Sequence, residues 1–376
     1  MFRPAWIEID LGALRTNFKR IRRFVGSKVK IIATIKQSAY GHGLIPVATQ
    51  LHRLGVDFFG VGGLDEAIKL REERLKEPIL VLSPTSSNFA KYFVEYDVRP
   101  TVVSMDFARA LNREAAKRNV RFPVHIKIDT GMGRLGLYYK DAYRFIKEVS
   151  RLKSLSLEGI FTHFPAADID PEFTNHQISV FNAFVSKLKG QGIRFLYQHC
   201  ANSMGVLKYR HCHFNMVRPG LILYGIRPQP HIPLKVEPML SLKSKIIFLK
   251  KIQKGRSVSY ARTYIARRPT LIGTVAIGYA DGYPWSLSGR KTLRGISQAK
   301  VIVQDSFFNV VGRVCMDHIM IDLKRRTDIG VGQEVILIGK KKGLEVTASD
   351  LAKWAHTISY EIVSRLSFRI PRIYNK

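Results

Sequence analysis

Between residues 30 and 217 the chain carries eight short apolar runs, and their regular recurrence limits the fold more than any other feature. In order they are K-I-I-A-T-I at 30 to 35, F-F-G-V at 58 to 61, I-L-V-L at 79 to 82, T-V-V at 101 to 103, V-H-I-K-I at 124 to 128, L-E-G-I-F at 157 to 161, F-L-Y-Q at 195 to 198 and F-N-M-V at 214 to 217. Most intervals hold an amphipathic segment such as A-I-K-L-R-E-E-R or F-N-A-F-V-S-K-L-K. Strands alternating with helices call for parallel βα units, and eight of them predict a (β/α)8 barrel rather than a doubly wound sheet. Ahead of the first run, Asp10 precedes Leu11, Leu14, Phe18, Ile21 and Val25, a helical spacing opened by a good N-cap residue.

The texture changes near residue 235. Helical spacing becomes scarce, and the runs K-S-K-I-I-F-L, L-I-G-T-V-A-I, A-K-V-I-V and V-I-L-I are separated by Gly, Asn and Asp turns. The segment P-Q-P-H-I-P at 228 to 233 marks the boundary, giving a barrel over 1–232 and a mostly β domain over 233–376.

Composition narrows the class further. With 46% hydrophobic and 24% charged residues the 376-residue chain is neither disordered nor a charge-rich coiled coil. Lys plus Arg number 61 against 29 Asp plus Glu, a formal net charge of +32. Such a balance raises nucleic acid or an anionic surface as a partner. The basic residues are nevertheless spread along the chain with no nucleic-acid module beside them, so a solvated basic surface is expected and nucleic acid is not. No run approaches the roughly 18 apolar residues of a membrane span, and the start lacks an apolar leader. Three cysteines, Cys200, Cys212 and Cys315, make no disulfide framework. A cytoplasmic location is expected. His199, Cys200, His211, Cys212 and His213 cluster in sequence but fit no zinc spacing, and no metal is expected.

Functional groups of such a barrel sit where its strands end. The first strand runs into Lys36, Tyr40, Gly41 and His42; the fifth into Lys127, Asp129 and Arg134; the sixth into His163; the seventh into His199, Asn202 and Ser203; the eighth into Arg218, Pro219 and Gly220. An amine at an apolar barrel mouth loses solvation, which lowers its pKa and makes it a nucleophile toward an aldehyde. Tyr40, Ser203 and the backbone at Gly220 offer hydroxyls and amides to a phosphate. A lysine with a phosphate cradle on a barrel suggests pyridoxal phosphate.

These residues fall within ten motifs that run nearly the whole chain. They are W-I-E-I-D-L-G-A-L-R-T-N at the start, I-K-Q-S-A-Y-G-H-G, K-I-D-T-G-M-G-R-L-G, T-H-F-P-A-A-D, H-C-A-N-S, V-R-P-G-L-I-L-Y-G, V-S-Y-A-R-T-Y, G-Y-A-D-G, C-M-D-H, and S-Y-E-I with I-P-R-I-Y at the end. In this order they resemble the alanine racemases, enzymes that pair an N-terminal barrel with a C-terminal β domain. The resemblance implies a homodimer with shared active sites that interconverts L- and D-alanine and, in bacteria, supplies D-alanine for peptidoglycan.

It also implies roles. Lys36 would carry pyridoxal phosphate, and Tyr260, from the other subunit, would be the second catalytic base. Tyr40, Ser203, Gly220, Leu221 and Tyr360 would hold the phosphate. Arg218 would face the pyridine nitrogen, with His163 between Arg218 and Tyr260. Arg134 would bind the cofactor's phenolic oxygen and the substrate carboxylate, aided by the Met316 amide and by Lys127, which is carbamylated in many members. Two bases on opposite faces suit racemisation, which removes a proton from one side and returns one to the other.

The chain departs from the family pattern at Gln37 and Ser38, where Ala and Asp are usual, at Ser359 in place of Pro, at His318 in place of Gln, and at Ala261, where Gly usually follows the catalytic tyrosine. Ala261 is the departure expected to matter, since a residue with a Cβ resists positive φ and would reposition Tyr260. The rival readings are a racemase of serine or another amino acid, a decarboxylase of the same fold, and a non-catalytic pyridoxal-phosphate-binding protein built as a lone barrel.

Overall fold

Each of the eight apolar runs overlaps a strand. The computed structural model describes residues 3–229, 231–292, 295–297 and 299–375, and the chain divides into two compact units. The first comprises Leu14–Ala39 and Leu44–Glu237, and the second Met1–Ala13, Tyr40–Gly43 and Pro238–Lys376.

The first unit is a parallel barrel of β1 (Lys30–Thr34), β2 (Phe58–Val61), β3 (Ile79–Pro84), β4 (Val98–Val102), β5 (Phe122–Asp129), β6 (Leu155–Phe161), β7 (Tyr197–His199) and β8 (Met216–Val217). They hydrogen-bond in the order β8-β1-β2-β3-β4-β5-β6-β7, each pair parallel. Single contacts draw β7 and β8 together. The Arg218 amide donates to the Ala201 carbonyl at 2.8 Å. The Asn215 side chain donates to Leu196 O at 2.6 Å and accepts from Gln198 N at 2.8 Å. Strands covered on both faces favour apolar residues at successive positions, as in F-F-G-V at 58 to 61 and I-L-V-L at 79 to 82. Ile32, Phe58, Leu80 and Met216, from four strands, meet inside.

The crossovers carry helices at Leu44–Arg53, Leu64–Glu72, Ala90–Glu95, Met105–Lys117, Ala142–Val149 and Pro171–Gly190. Asp10 opens the helix Leu11–Val25 as its spacing indicates, accepting from Ala13 N at 2.9 Å. From that helix the buried Asn17 ties down the segment leaving the barrel. Its amide donates to Leu223 O and Glu237 O at 3.0 and 2.8 Å, and its carbonyl accepts from Glu237 N at 2.8 Å.

The second unit is built on a nine-stranded sheet. Leu240–Ile252 pairs with Thr270–Val275, which pairs with Ile319–Lys324, all antiparallel. The β-rich runs of the sequence supply these strands together with Lys300–Val303 and Glu334–Lys341. Trp6–Asp10, which the division at 228 to 233 writes into the barrel segment, contributes its strand to this sheet. It lies antiparallel to Leu240–Ile252 and parallel to Arg372–Asn375. The alternation W-I-E-I-D, with Ile7 and Ile9 buried, is the pattern of a sheet with one covered face.

The loop bearing Tyr260 is strained. Ser259, Ala261 and Arg262 have φ of 67°, 56° and 53°. Ala261 therefore takes the left-handed conformation that glycine would occupy more easily, at a cost in strain. The Ser259 hydroxyl, donating to Arg313 O at 2.7 Å, anchors the turn. Ala261→Gly is expected to stabilise the protein by about 1 kcal/mol, the left-handed penalty of a Cβ. A urea midpoint raised at unchanged slope would show it; an unchanged or lower midpoint would contradict it.

Candidate active site

Lys36 follows β1 and begins a turn of unusual hand. Gln37, Ser38 and Ala39 have φ/ψ of 54°/53°, 52°/47° and 54°/49°, and Tyr40 has φ 53°. A left-handed turn costs non-glycine residues roughly 1–2 kcal/mol each, so outside contacts must hold it. The Ala39 amide donates to Ile35 O at 2.8 Å. Glu66, in the first turn of helix Leu64–Glu72, accepts from Ser38 N and Gly62 N, both at 2.9 Å. Burial, and then the charge of Arg134, pull the Lys36 amine below its ordinary pKa, with Glu66 opposing.

Arg218 is buried just beyond β8. Its Nη1 donates to His199 Nδ1 at 2.6 Å and His199 O at 2.7 Å, and its Nη2 donates to Thr162 O at 2.6 Å and Cys200 O at 3.1 Å. Burial pulls its pKa down to about 10, which leaves it cationic at neutral pH. A chain of contacts continues across the barrel. His199 Nε2 lies 3.0 Å from His125 Nδ1, and His125 Nε2 lies 3.0 Å from Glu158 Oε2. Arg99 Nε stands 3.6 Å from the same carboxylate oxygen.

The chemistry of these groups sets the proton positions. Arginine only donates, so His199 Nδ1 accepts and its proton sits on Nε2. That N–H donates to His125 Nδ1, which puts the His125 proton on Nε2, facing the Glu158 carboxylate. Burial holds both imidazoles below their ordinary pKa, well below in His199. Burial pushes Glu158 upward, but the His125 hydrogen bond and Arg99 outweigh it and leave the carboxyl below its usual range. The His125 ring fits because β6 has glycine opposite it, since a Cβ on Gly159 would stand 2.2 Å from Nδ1.

Lys127 and Arg134 come from β5 and its loop. The Asp129 carboxylate shapes that loop by accepting from Gly131 N at 2.9 Å, Met132 N at 2.8 Å and Gly133 N at 3.0 Å. Gly136, at φ 116°, passes so close to the Asp129 amide that a Cβ would meet it at 3.0 Å. Lys127 is buried with its ammonium 5.3 Å from the Phe161 ring centroid, and the Arg218 guanidinium is 5.2 Å from the same centroid. Burial, followed by Arg218, Arg134 and Lys36, lowers the Lys127 pKa to about 8. The same surroundings, burial first and Arg218 next, keep His163 well below its ordinary value and hence neutral.

Ser203 begins the short helix Ser203–Lys208, and its Oγ accepts from Gly220 N at 3.0 Å, leaving the hydroxyl proton to donate elsewhere. Leu221 begins the 3-10 turn that follows. The barrel unit thus holds Lys36, Lys127, Arg134, His163, Ser203, Arg218, Gly220 and Leu221. The other unit holds the remaining sequence-derived candidates. There the Tyr40 and Tyr360 rings lie 6.1 Å apart, and Tyr260 and Met316 are 69% and 55% exposed.

An amine, a hydroxyl, an amide and a guanidinium form a donor set that suits an aldehyde bearing a phosphate and an anionic ring oxygen. The residues present therefore fit pyridoxal phosphate. Sequence reasoning passed over His125, Glu158, Arg99 and Glu66. A histidine inside V-H-I-K-I and a glutamate beside glycine in L-E-G-I-F were the available signals, because a polar side chain inside a parallel strand needs a buried partner.

Lys127 carries a stability cost of definite sign. With a folded-state pKa of about 8 against an ordinary 10.5, the penalty is full below pH 8 and fades as pH rises to 10.5. In bicarbonate-free apoprotein at pH 7, Lys127→Met is expected to exceed wild type in stability by up to about 3 kcal/mol. The gap should close between about pH 8 and 10.5 in denaturant titrations. A constant gap, or a less stable variant, would contradict this.

Residues 9–228 match the family model for the alanine racemase N-terminal domain and residues 239–374 that for the C-terminal domain. An alanine racemase of Halothermothrix orenii is 40% identical over 375 residues, covering 99% of this chain and 97% of the relative. One from Clostridium perfringens is 39% identical, covering 100% and 96%. Among solved structures, alanine racemase of Clostridium difficile 630 superposes with TM-score 0.92 at 35% identity, covering 100% of this chain and 96% of that one. That of Bartonella henselae, with covalently bound pyridoxal phosphate, superposes with TM-score 0.88 at 26% identity, covering 99% of each. Two domain models in register and relatives matched from end to end agree on one conclusion: the chain belongs to the alanine racemase family.

Proposed function

We infer that the protein is an isomerase that interconverts L-alanine and D-alanine with pyridoxal phosphate held on Lys36. The observation that carries this reading is the gathering of a desolvated Lys36 with Lys127, Arg134 and Arg218 on one barrel, in a member of this family. When bound, the cofactor supplies an electron sink that acidifies the substrate α-proton.

The protein's own residues do the rest. Lys36 provides the covalent attachment, and Tyr40, Ser203, Gly220, Leu221 and Tyr360 bind the phosphate. Arg218, fixed by hydrogen bonds to His199, Thr162 and Cys200 and slow to give up its proton, would face the pyridine nitrogen and offer it no proton. An arginine rather than an acid at that position would disfavour transamination and decarboxylation. Arg134 and the Met316 amide hold the substrate carboxylate. Lys36 and Tyr260 move protons on opposite faces, with His163 set between Tyr260 and Arg218.

Lys127 suits carbamylation. An amine with a pKa near 8 is partly neutral at physiological pH and so can attack carbon dioxide, and the product replaces a fourth crowded cation with an anion. The exposure of Tyr260 and Met316 supports a homodimer in which they complete the partner's site. No described helix is long and apolar enough to cross a membrane. A cytoplasmic enzyme supplying D-alanine to peptidoglycan is the setting this reading implies.

Proton exchange at each face tests it. In deuterated water, Tyr260→Phe should slow α-proton exchange of L-alanine by about 100-fold or more and that of D-alanine far less. Borohydride should fix the cofactor on Lys36. Equal losses for the two enantiomers, or no exchange in wild type, would refute the two-base reading.

A further inference from the structure

Glu66 has no assigned role, yet it touches both the turn that follows Lys36 and the loop beyond β2. We propose that Glu66 is a positioning residue for the cofactor lysine: its carboxylate staples the left-handed turn Gln37–Ala39 to Gly62, fixing the backbone that presents the Lys36 amine. The inference rests on Lys36 being the cofactor lysine.

The geometry asks for a carboxylate in particular. Oε1 takes the Ser38 amide and Oε2 the Gly62 amide, each at 2.9 Å. Both partners are donors, so both side-chain positions must be acceptors, a condition that an ionised carboxylate meets and an amide does not. In Glu66→Gln one terminal atom becomes NH2 and confronts a backbone N–H. The turn has little strength of its own, since successive residues occupy the left-handed region without a glycine. Gly62 is also near Lys36 itself, as a Cβ placed there would lie 3.5 Å from Lys36 Cβ. The staple thus joins the loops after β1 and β2 beside the lysine.

The carboxylate also acts through its charge. Arg134 bears on Lys36 as a cation and adds to the lowering that burial causes, while Glu66 opposes it. Glu66 therefore keeps the amine more basic than burial and Arg134 alone would leave it. Orientation and charge can be separated, because Glu66→Gln removes charge and one acceptor, whereas Glu66→Asp keeps the charge but falls short of the two amides.

The test measures Lys36 directly in full-length apoprotein. Pulse acetylation with acetic anhydride from about pH 6 to 11, read by mass spectrometry of the Lys36 peptide, gives its titration midpoint. Titration with pyridoxal phosphate followed by borohydride trapping gives cofactor affinity. Glu66→Gln should shift the midpoint downward and weaken trapping about tenfold, the effect of one unsatisfied half-buried donor. Glu66→Asp should leave the midpoint near wild type while trapping still weakens. A wild-type midpoint and affinity in Glu66→Gln would overturn the proposal. If Glu66→Gln fails to fold by circular dichroism, Glu66→Asp decides, and undiminished trapping there overturns it. Trapping of the cofactor on a different lysine in wild type would refute the role given to Lys36, and the acetylation midpoints would still report whether Glu66 acts on that amine.

Discussion

A buried guanidinium held by backbone carbonyls and an imidazole ties together the ends of β6 and β7. Arg218 satisfies its two terminal nitrogens with three backbone carbonyls and one imidazole. Those carbonyls belong to Thr162, His199 and Cys200, at the ends of β6 and β7. The charge is stabilised by dipoles that the strands already fix in place, which limits the desolvation penalty of a buried ion. A guanidinium so constrained cannot turn away from whatever occupies the barrel mouth.

The same charge sets the state of its neighbours. Lys127 and His163 are driven toward their neutral forms by burial with Arg218 the next contributor, and Lys36 by burial with Arg134. Two carboxylates answer these cations from different directions. Glu158 ends the chain of imidazoles that leads from Arg218, and Glu66 pins the turn after Lys36. The site is thus rich in groups that are neutral or poised to become so near physiological pH, a condition for moving protons rather than merely binding anions.

The barrel was legible because parallel strands covered on both faces are rich in apolar residues, and each of the eight runs overlaps a strand. The β-rich texture after residue 235 was legible through its turns. Less visible was the place of Trp6–Asp10, whose partners lie over two hundred residues away in sequence. Lys36, Lys127 and Arg218 could be singled out from strand ends and motifs. His125 and Glu158 could not be paired in advance, because their contact depends on the register of β5 against β6 and on the space left by Gly159. Ala261 adopts a positive φ although its Cβ resists it, and the strain this implies could be read from the alanine that follows Tyr260.

Arg218 is held by a one-way chain of hydrogen bonds through two neutral histidines to Glu158. Nitrogen-15 spectra of the histidine-labelled protein, recorded between about pH 6 and 8, read the proton positions in that chain. Expected are two imidazoles, assigned to His199 and His125 by single replacement, each neutral, protonated at Nε2 and unchanged across the range. Protonation at Nδ1 in either ring, or titration of either near its ordinary pKa, would contradict it.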